Sequence, residues 1–246
     1  MNNKILTTKD ITWKIVPSGD SCLVIEIQSA LVGASSHWAA GAAAALRHAS
    51  LPGITDVVST IVTVGVHYRP EVLRRLGSQG ETSYQAATRI VATVLNTFEY
   101  NNLAPPRVVQ IPVSYGGDHG PDLETVASEC GLSAQALIDL HTGADVSVQM
   151  LGFAPGHPYI GTFDERLAPP RRAQPRTSVP IGSVGLANRQ SVIYPFNLPG
   201  GWNLIGRTPL KLFDPDRNPA CLLQAGDRIR FVSITADEFE TSGDGR

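Results

Sequence analysis

The chain has 246 residues, 42% of them hydrophobic and 17% charged, with 20 Lys and Arg against 22 Asp and Glu for a formal net charge of −2. That much apolar material can bury a core for one large or two modest domains, and so even a balance excludes a broadly basic nucleic-acid-binding surface unless one local face supplies it. Three scattered cysteines, Cys22, Cys130 and Cys221, with no CxxC pair, suggest neither a disulfide framework nor a zinc knot and read as small core residues.

The N-terminal MNNKILTTKD lacks the apolar core and small-residue cleavage site of a secretory signal, and the alanine-rich residues 38–46 are too short a run to span a bilayer. No membrane partner and a cytoplasmic location are therefore expected. Residues 11–16, ITWKIV, alternate apolar and polar, the turn Pro17-Ser18-Gly19-Asp20 follows, and CLVIEI completes a strand pair. Ser35 or Ser36 can cap the helix HWAAGAAAALRHAS, which Pro52 and Gly53 stop. Two β-branched runs, residues 54–60 and 61–68, predict two more strands, and residues 71–76 suffice for a turn or two of helix. Over residues 83–98, Ala87, Ile90, Val91, Val94, Leu95 and Phe98 recur at three- and four-residue steps, which predicts an amphipathic helix with one face on that sheet. The first hundred residues thus spell ββαββα.

Asn101 and Asn102, followed by Ala104-Pro105-Pro106, read as a linker between a first domain over residues 1–102 and a second over 107–240. RVVQIPVS predicts a strand in which Pro112 marks an edge or a bulge. Residues 122–130 and 133–141 read as two short helices, the second capped by Ser133 and ended at Gly143. Residues 145–151 alternate as a strand, after which only strands are expected until a loose polar tail, ADEFETSGDGR.

Residues 151–211 hold nine of the 18 prolines and eight glycines, so the backbone turns too often for helices and must run as short strands, the signature of a barrel or sandwich. Six Arg and one Lys stand there against Asp164 and Glu165, a local charge of +5 in a chain of −2, which predicts a walled, electropositive pocket for a small anion. Arg176, Arg189 and Arg207 lie beside turns, where planar guanidinium groups suit bidentate recognition of carboxylate or phosphate; the plain alternative for each is a surface or strand-bridging arginine. His141 ends a helix, where the helix dipole would favour a positive imidazole facing the pocket. The turn YGGDHGPD could hold a ligand on backbone N–H groups, with Asp122 read as a helix N-cap, and Asp118 and His119 alone make only a weak metal pair. No P-loop, dinucleotide fingerprint, HExxH, GxSxG or tandem CxxC is present.

The runs GFAPGHPYIG, PRRAQPRTSVPIGSVG and YPFNLPGGWNLIGRTPLKLFDP, with PSGDSCLVIEI, LPGITDVV, HYRP and YGGDHGPDL, resemble the allophanate hydrolase subunit 1 family along nearly the whole chain. That family includes the B subunit of 5-oxoprolinase and a sporulation kinase inhibitor. The resemblance implies an α+β chain: an N-terminal ββαββα two-layer α/β domain and a C-terminal cyclophilin-like β-barrel. Carried over position by position, it implies catalytic roles for His141, Arg176, Tyr194 and Arg207 and substrate contacts from Gly156, Tyr159, Ser183 and Gln190, with no metal ligands. Two departures, His157 where an aromatic is usual and Val146 where a tyrosine is common, bear on substrate choice.

The activity implied is ATP-dependent opening of 5-oxoproline to L-glutamate, the lactam being activated by phosphorylation. ATP with Mg²⁺ would be bound in a complex with two other proteins. These are a sister allophanate hydrolase subunit 2-type protein (the 5-oxoprolinase C subunit) and the 5-oxoprolinase A subunit, and the chain alone would be nearly inactive. Related domains also imply two alternatives, a urea carboxylase or allophanate-type carboxyltransferase subunit and a histidine-kinase inhibitor acting by binding; prolyl isomerisation follows only from the barrel type.

Overall fold

The computed structural model describes residues 11–29, 34–98 and 105–243; the N-terminal decapeptide, residues 99–104 of the linker region and the last three residues of the tail lie outside them. The chain divides into two compact units, Met1–Pro105 and Pro106–Arg246. Among the described residues no helix is long and apolar enough to cross a membrane.

In the first unit, β1 (Ile11–Pro17) and β2 (Cys22–Ser29) form a hairpin, and β2 pairs in turn with β4 (Thr63–Tyr68), which pairs with β3 (Ile54–Ser59). The alternation of CLVIEI decides which face of this antiparallel sheet is covered: Leu23, Ile25 and Ile27 point inward with Val64, Val66 and Tyr68 of β4. Onto that face pack α1 (Ala34–His48), through Trp38, Ala39, Ala42, Ala43 and Leu46, and α3 (Ser83–Thr97), through Ala86, Ala87, Val91 and Leu95. A short α2 (Pro70–Leu76) precedes α3 and buries Leu73. Because α1 already includes Ser35 and Ser36, neither is its cap, and Ser36 is buried. Thr82 does cap α3, with Gln85 reaching back to complete a capping box.

The second unit is a closed barrel of order β10-β7-β6-β13-β5-β12-β9. Its strands are β5 (Val108–Tyr115), β6 (Val146–Leu151), β7 (Pro158–Gly161), β9 (Ser183–Ala187), β10 (Gln190–Ile193), β12 (Asn203–Arg207) and β13 (Arg228–Ile234). Strand β5 runs parallel to β13 over its length but meets β12 only at Ser114 and Tyr115, so Pro112 falls where one side of the strand carries no ladder to interrupt. Two helices, α4 (Leu123–Glu129) and α5 (Ala134–Thr142), link β5 to β6; Ser133 caps α5 by accepting from the Ala136 N–H, and Gly143 ends it.

Period-two alternation sends the two faces of the later strands to different places. Val184, Leu186, Ile193 and Ile205 join the main core with Ile111, Val113, Ile160, Phe163 and Phe231, whereas Val192, Leu204 and Trp202 join Tyr194, Val179, Tyr159 and Leu198 in a second cluster. Beside that second cluster lies a small two-stranded sheet of β8 (Arg176–Val179) and β11 (Leu198–Gly200). The polar tail is not loose throughout: residues 236–243 form α6 (Ala236–Gly243), with Thr235 and Glu238 capping its start and Phe239 buried against His119.

Candidate functional site

The second cluster gathers most of the polar chemistry. His157, Tyr159, Tyr194 and Trp202 form a wall of rings, with His157 5.1 Å from Tyr159 and 5.3 Å from Tyr194, and Tyr159 6.2 Å from Trp202. Gly156, in the left-handed region at φ 76°, delivers His157 to this wall; a side chain there would press on Phe213 and the Leu212 carbonyl, so its role is to turn the backbone. Phe153, the rim of the same loop, holds φ 72° while 64% exposed, its ring edge-on to His157. Gly200 of β11 comes so close that a Cβ on it would stand 2.0 Å from the Tyr194 hydroxyl. Burial pushes the Tyr194 phenol up to about 12, which makes it a proton-bearing hydrogen-bond donor at neutral pH. Burial likewise pushes His157 down to about 4, so it is neutral there.

Beside this wall stands an arginine cluster built on Asp122. Asp122 occupies the N-cap position of α4, yet its side chain makes no capping bond, which corrects the cap expectation. Its Oδ1 accepts from Arg176 Nη2 at 2.8 Å and Arg172 Nη1 at 3.1 Å, and its Oδ2 accepts from the Leu204 N–H at 2.7 Å. Charged partners 50 and 54 residues away outcompete the local backbone, because an ion-assisted bond is worth more than a neutral one. Burial alone would raise this carboxyl, but the Arg176 bond, the Leu204 N–H and the charges of Arg176 and Arg172 hold it below the usual carboxylate range. Arg176 is also opposite Gly200 in the β8–β11 register.

His141 lies elsewhere. It is wholly buried on α5, stacked on Phe163 at 4.8 Å and 4.2 Å from Phe231, so the expected positive imidazole facing a pocket is not found. Burial drives its pKa down to about 3, which outweighs any helix-dipole preference. Its hydrogen bonds fix its tautomer: Ser191 Oγ donates to the Gly185 carbonyl and so accepts from His141 Nε2–H at 3.2 Å, leaving Nδ1 to accept from the Tyr115 hydroxyl at 2.8 Å.

The remaining expected residues have strand-bridging roles. Arg207 Nε donates to the Ile181 carbonyl at 2.8 Å and its guanidinium lies 5.6 Å over Phe239, the geometry of the plain alternative. Arg189 Nε donates to the Phe163 carbonyl in the same fashion. Gln190 Nε2 donates to Gln149 Oε1 at 2.8 Å, and buried Ser183 accepts the Tyr194 N–H on its carbonyl. The structure therefore brings Tyr159, Tyr194 and Arg176 together, with Gly156 and Ser183 as backbone supports, and sets His141, Gln190 and Arg207 apart. Sequence reasoning missed Arg171, Arg172, Trp202 and the clamping role of Asp122; the signal that could have found them was the adjacent Arg171-Arg172 pair inside the +5 stretch.

Several N–H groups of the glycine turn are spent within the fold. The Gly116 N–H donates to the Ile205 carbonyl and the Gly120 N–H to the Gly116 carbonyl, and a Cβ on Gly120 would lie 2.1 Å from Ile205 O. His119 instead stacks on Phe239 at 4.1 Å.

Comparisons with known proteins extend this geometry. The sequence model of the carboxyltransferase domain, subdomain C and D, matches residues 13–223. The 5-oxoprolinase B subunit of Bacillus subtilis (strain 168) is 38% identical over 234 residues, which cover 93% of this chain and 96% of that relative. The crystal structure of TTHA0988 is 33% identical with a TM-score of 0.72 and is matched over 87% of this chain but 40% of its own, so this chain spans two fifths of that protein's length. Urea carboxylase of Kluyveromyces lactis shares the fold, with a TM-score of 0.68 at 16% identity over 93% of this chain and 22% of that one.

Proposed function

This chain belongs to the carboxyltransferase-domain family, subdomain C and D, and from that premise we propose that it is one component of an ATP-dependent 5-oxoprolinase that opens 5-oxoproline to L-glutamate. The observation that carries the proposal is the wall of Tyr159, His157, Tyr194 and Trp202 beside the Asp122–Arg176 cluster, in a chain 38% identical along nearly its whole length to a 5-oxoprolinase B subunit. On the same reading the first unit is the family's ββαββα layer domain, the barrel is cyclophilin-like, and the protein works in the cytoplasm.

A lactam is an amide stabilised by resonance; attack of water on its carbonyl carbon places negative charge on the carbonyl oxygen, and the C–N bond then breaks with its electron pair and a proton going to the nitrogen. Tyr194, a buried phenol that keeps its proton at neutral pH, donates a hydrogen bond to that oxygen as the charge grows, and Arg176 adds positive potential nearby. The aromatic wall excludes water around the ring and orients it. Tyr159 and neutral His157, in contact with each other and with the same wall, discriminate among ring substituents on this reading. His141 and Arg207 contribute to the stability of the barrel, His141 within its core and Arg207 by bridging to the Ile181 carbonyl.

In the glycine turn the Gly116, Gly120 and Asp122 N–H groups are taken by the Ile205, Gly116 and Leu204 carbonyls, which packs the turn against β12. ATP with Mg²⁺ is assigned to the partner proteins, the subunit 2-type protein (the C subunit of 5-oxoprolinase) and the A subunit, and the isolated chain is expected to be inactive. The fold shared with urea carboxylase supports a second reading, carboxyl transfer to a small amide.

The test reconstitutes the chain with its sister proteins and follows glutamate release and ATP hydrolysis. The lactam reading expects turnover only on mixing and only with 5-oxoproline, and Tyr194→Phe should lower kcat/KM about 100- to 1000-fold, as for loss of one oxyanion donor. Full turnover by the isolated chain, or unchanged kinetics in Tyr194→Phe, would overturn it, and a requirement for bicarbonate and a biotin carrier would favour carboxyl transfer.

A further inference from the structure

The arginine cluster has more donors than its one carboxylate can accept. Asp122 already accepts two bonds on Oδ1 and one on Oδ2. Arg172 Nε and Arg176 Nη1 are buried and have no hydrogen-bond partner. A buried N–H left unpaired is costly, so the arrangement is stable mainly for what completes it. Arg171, next in the chain, lies over Trp202 with its guanidinium carbon 4.5 Å from the ring centroid, and among the described residues no hydrogen bond or ion pair engages its guanidinium. Three guanidinium groups thus stand against one carboxylate, an excess of two positive charges.

The cluster is also held in place. The Arg172 N–H donates to the Gly201 carbonyl, Asn203 Nδ2 donates to the Pro170 carbonyl, and Pro169, Pro170 and Pro175 stiffen the segment between. The contact with Trp202 holds Arg171 without using any of its five donors, which leaves them for a ligand.

We propose that Arg171, with the unpaired N–H groups of Arg172 and Arg176, forms an oxyanion subsite against the Trp202–Tyr194 wall. The oxyanion is a carboxylate or a phosphoryl group. If the lactam reading above is right, it is the carboxylate of 5-oxoproline, and Arg171 is the residue that makes the site choose an acidic lactam over a neutral one; the subsite itself rests on the arginines and not on that reading.

Calorimetric titration of the full chain with sodium 5-oxoprolinate, inorganic phosphate and the neutral lactam 2-pyrrolidinone tests this, on wild type, Arg171→Ala and Arg171→Lys, with thermal unfolding of each. Wild type should bind an anion and not 2-pyrrolidinone. Arg171→Ala should weaken that binding roughly 10- to 100-fold, as for losing a charge-assisted bond, Arg171→Lys should restore part of it, and Tm should stay constant. Binding of phosphate but not 5-oxoprolinate would support the subsite and count against the lactam reading. Binding of 5-oxoprolinate unaffected by Arg171→Ala, or binding of neither anion, would overturn the subsite.

Discussion

Two buried polar clusters sit in the same unit, and their hydrogen-bond accounts differ. In the Tyr115–His141–Ser191 chain every donor meets an acceptor and the chain ends on the Gly185 carbonyl, with the His141 ring packed against Phe163 and Phe231. In the Asp122–Arg172–Arg176 cluster two buried nitrogens have no partner, His157 Nδ1 nearby has none either, and Arg171 waits on an indole face. A closed network rigidifies a core, whereas a network short of acceptors is completed from outside. His141, the helix-end histidine that looked catalytic in the sequence, went to the closed network.

The largest effect expected from breaking this contrast is Gly200→Ala. Its Cβ would overlap the Tyr194 hydroxyl, and Tyr194 is too buried to swing away, so the aromatic wall must shift. Activity of the assembled complex should fall about 100-fold or more, since an ångström-scale misplacement costs that much, and wild-type kinetics in this variant would show that Tyr194 lies outside the site.

Next is His141→Asn, which leaves the Tyr115 hydroxyl without its acceptor or the Ser191 oxygen without its donor and opens space beside Phe163. It should cost about 2–4 kcal/mol of stability in denaturant unfolding; a loss within experimental error would mean the chain is not closed as described.

A pH titration sharpens the same point. His141 and His157 have folded pKa values lowered to about 3 and about 4, below an unfolded value of roughly 6.5, so the unfolded state binds more protons in between. Their contribution is fully present above that unfolded value and is lost as pH falls toward the folded ones, with a slope of at most about 1.4 kcal/mol per pH unit for each histidine. Asp122, whose carboxyl its Arg176 bond helps hold below the ordinary range, begins to lose its contribution as pH falls through the ordinary carboxylate value and goes on losing it down to the lowered folded one. His141→Asn should flatten the histidine part of the curve, and an unaltered slope would contradict the buried neutral imidazole.

The smallest effect is expected for Arg207→Ala. With its Nε on the Ile181 carbonyl and its face over Phe239, it should lower stability by about 1 kcal/mol and leave complex kinetics alone; a large loss of kcat/KM at unchanged Tm would return Arg207 to the site.

What the sequence made legible follows from the reach of each interaction. CLVIEI and the periodic residues 83–98 announce a strand and a helix because burial on one face repeats locally, and Ser133 and Gly143 mark α5 because capping is a contact within one turn. Helix α6 was hidden because its composition is polar and Phe239, against His119 and under Arg207, anchors it from far away in the chain, though Thr235 and Glu238 carry a capping-box spacing. Asp122 looked like a cap because it sits where caps sit, and its true partners lie beyond any local pattern. His141 could be picked out as a titratable group, but nothing in a helix end says that it faces inward between two phenylalanines.

The most direct test of the contrast is to measure kcat/KM and Tm together for Arg171→Ala and Ser191→Ala in the reconstituted complex. Arg171→Ala should lower kcat/KM at least about tenfold with Tm unchanged, and Ser191→Ala, which breaks the closed chain between His141 and the Gly185 carbonyl, should lower Tm while holding kcat/KM within about twofold. The reverse pattern, with Ser191→Ala kinetically impaired at full stability and Arg171→Ala kinetically silent, would place the site in the barrel interior and contradict the account.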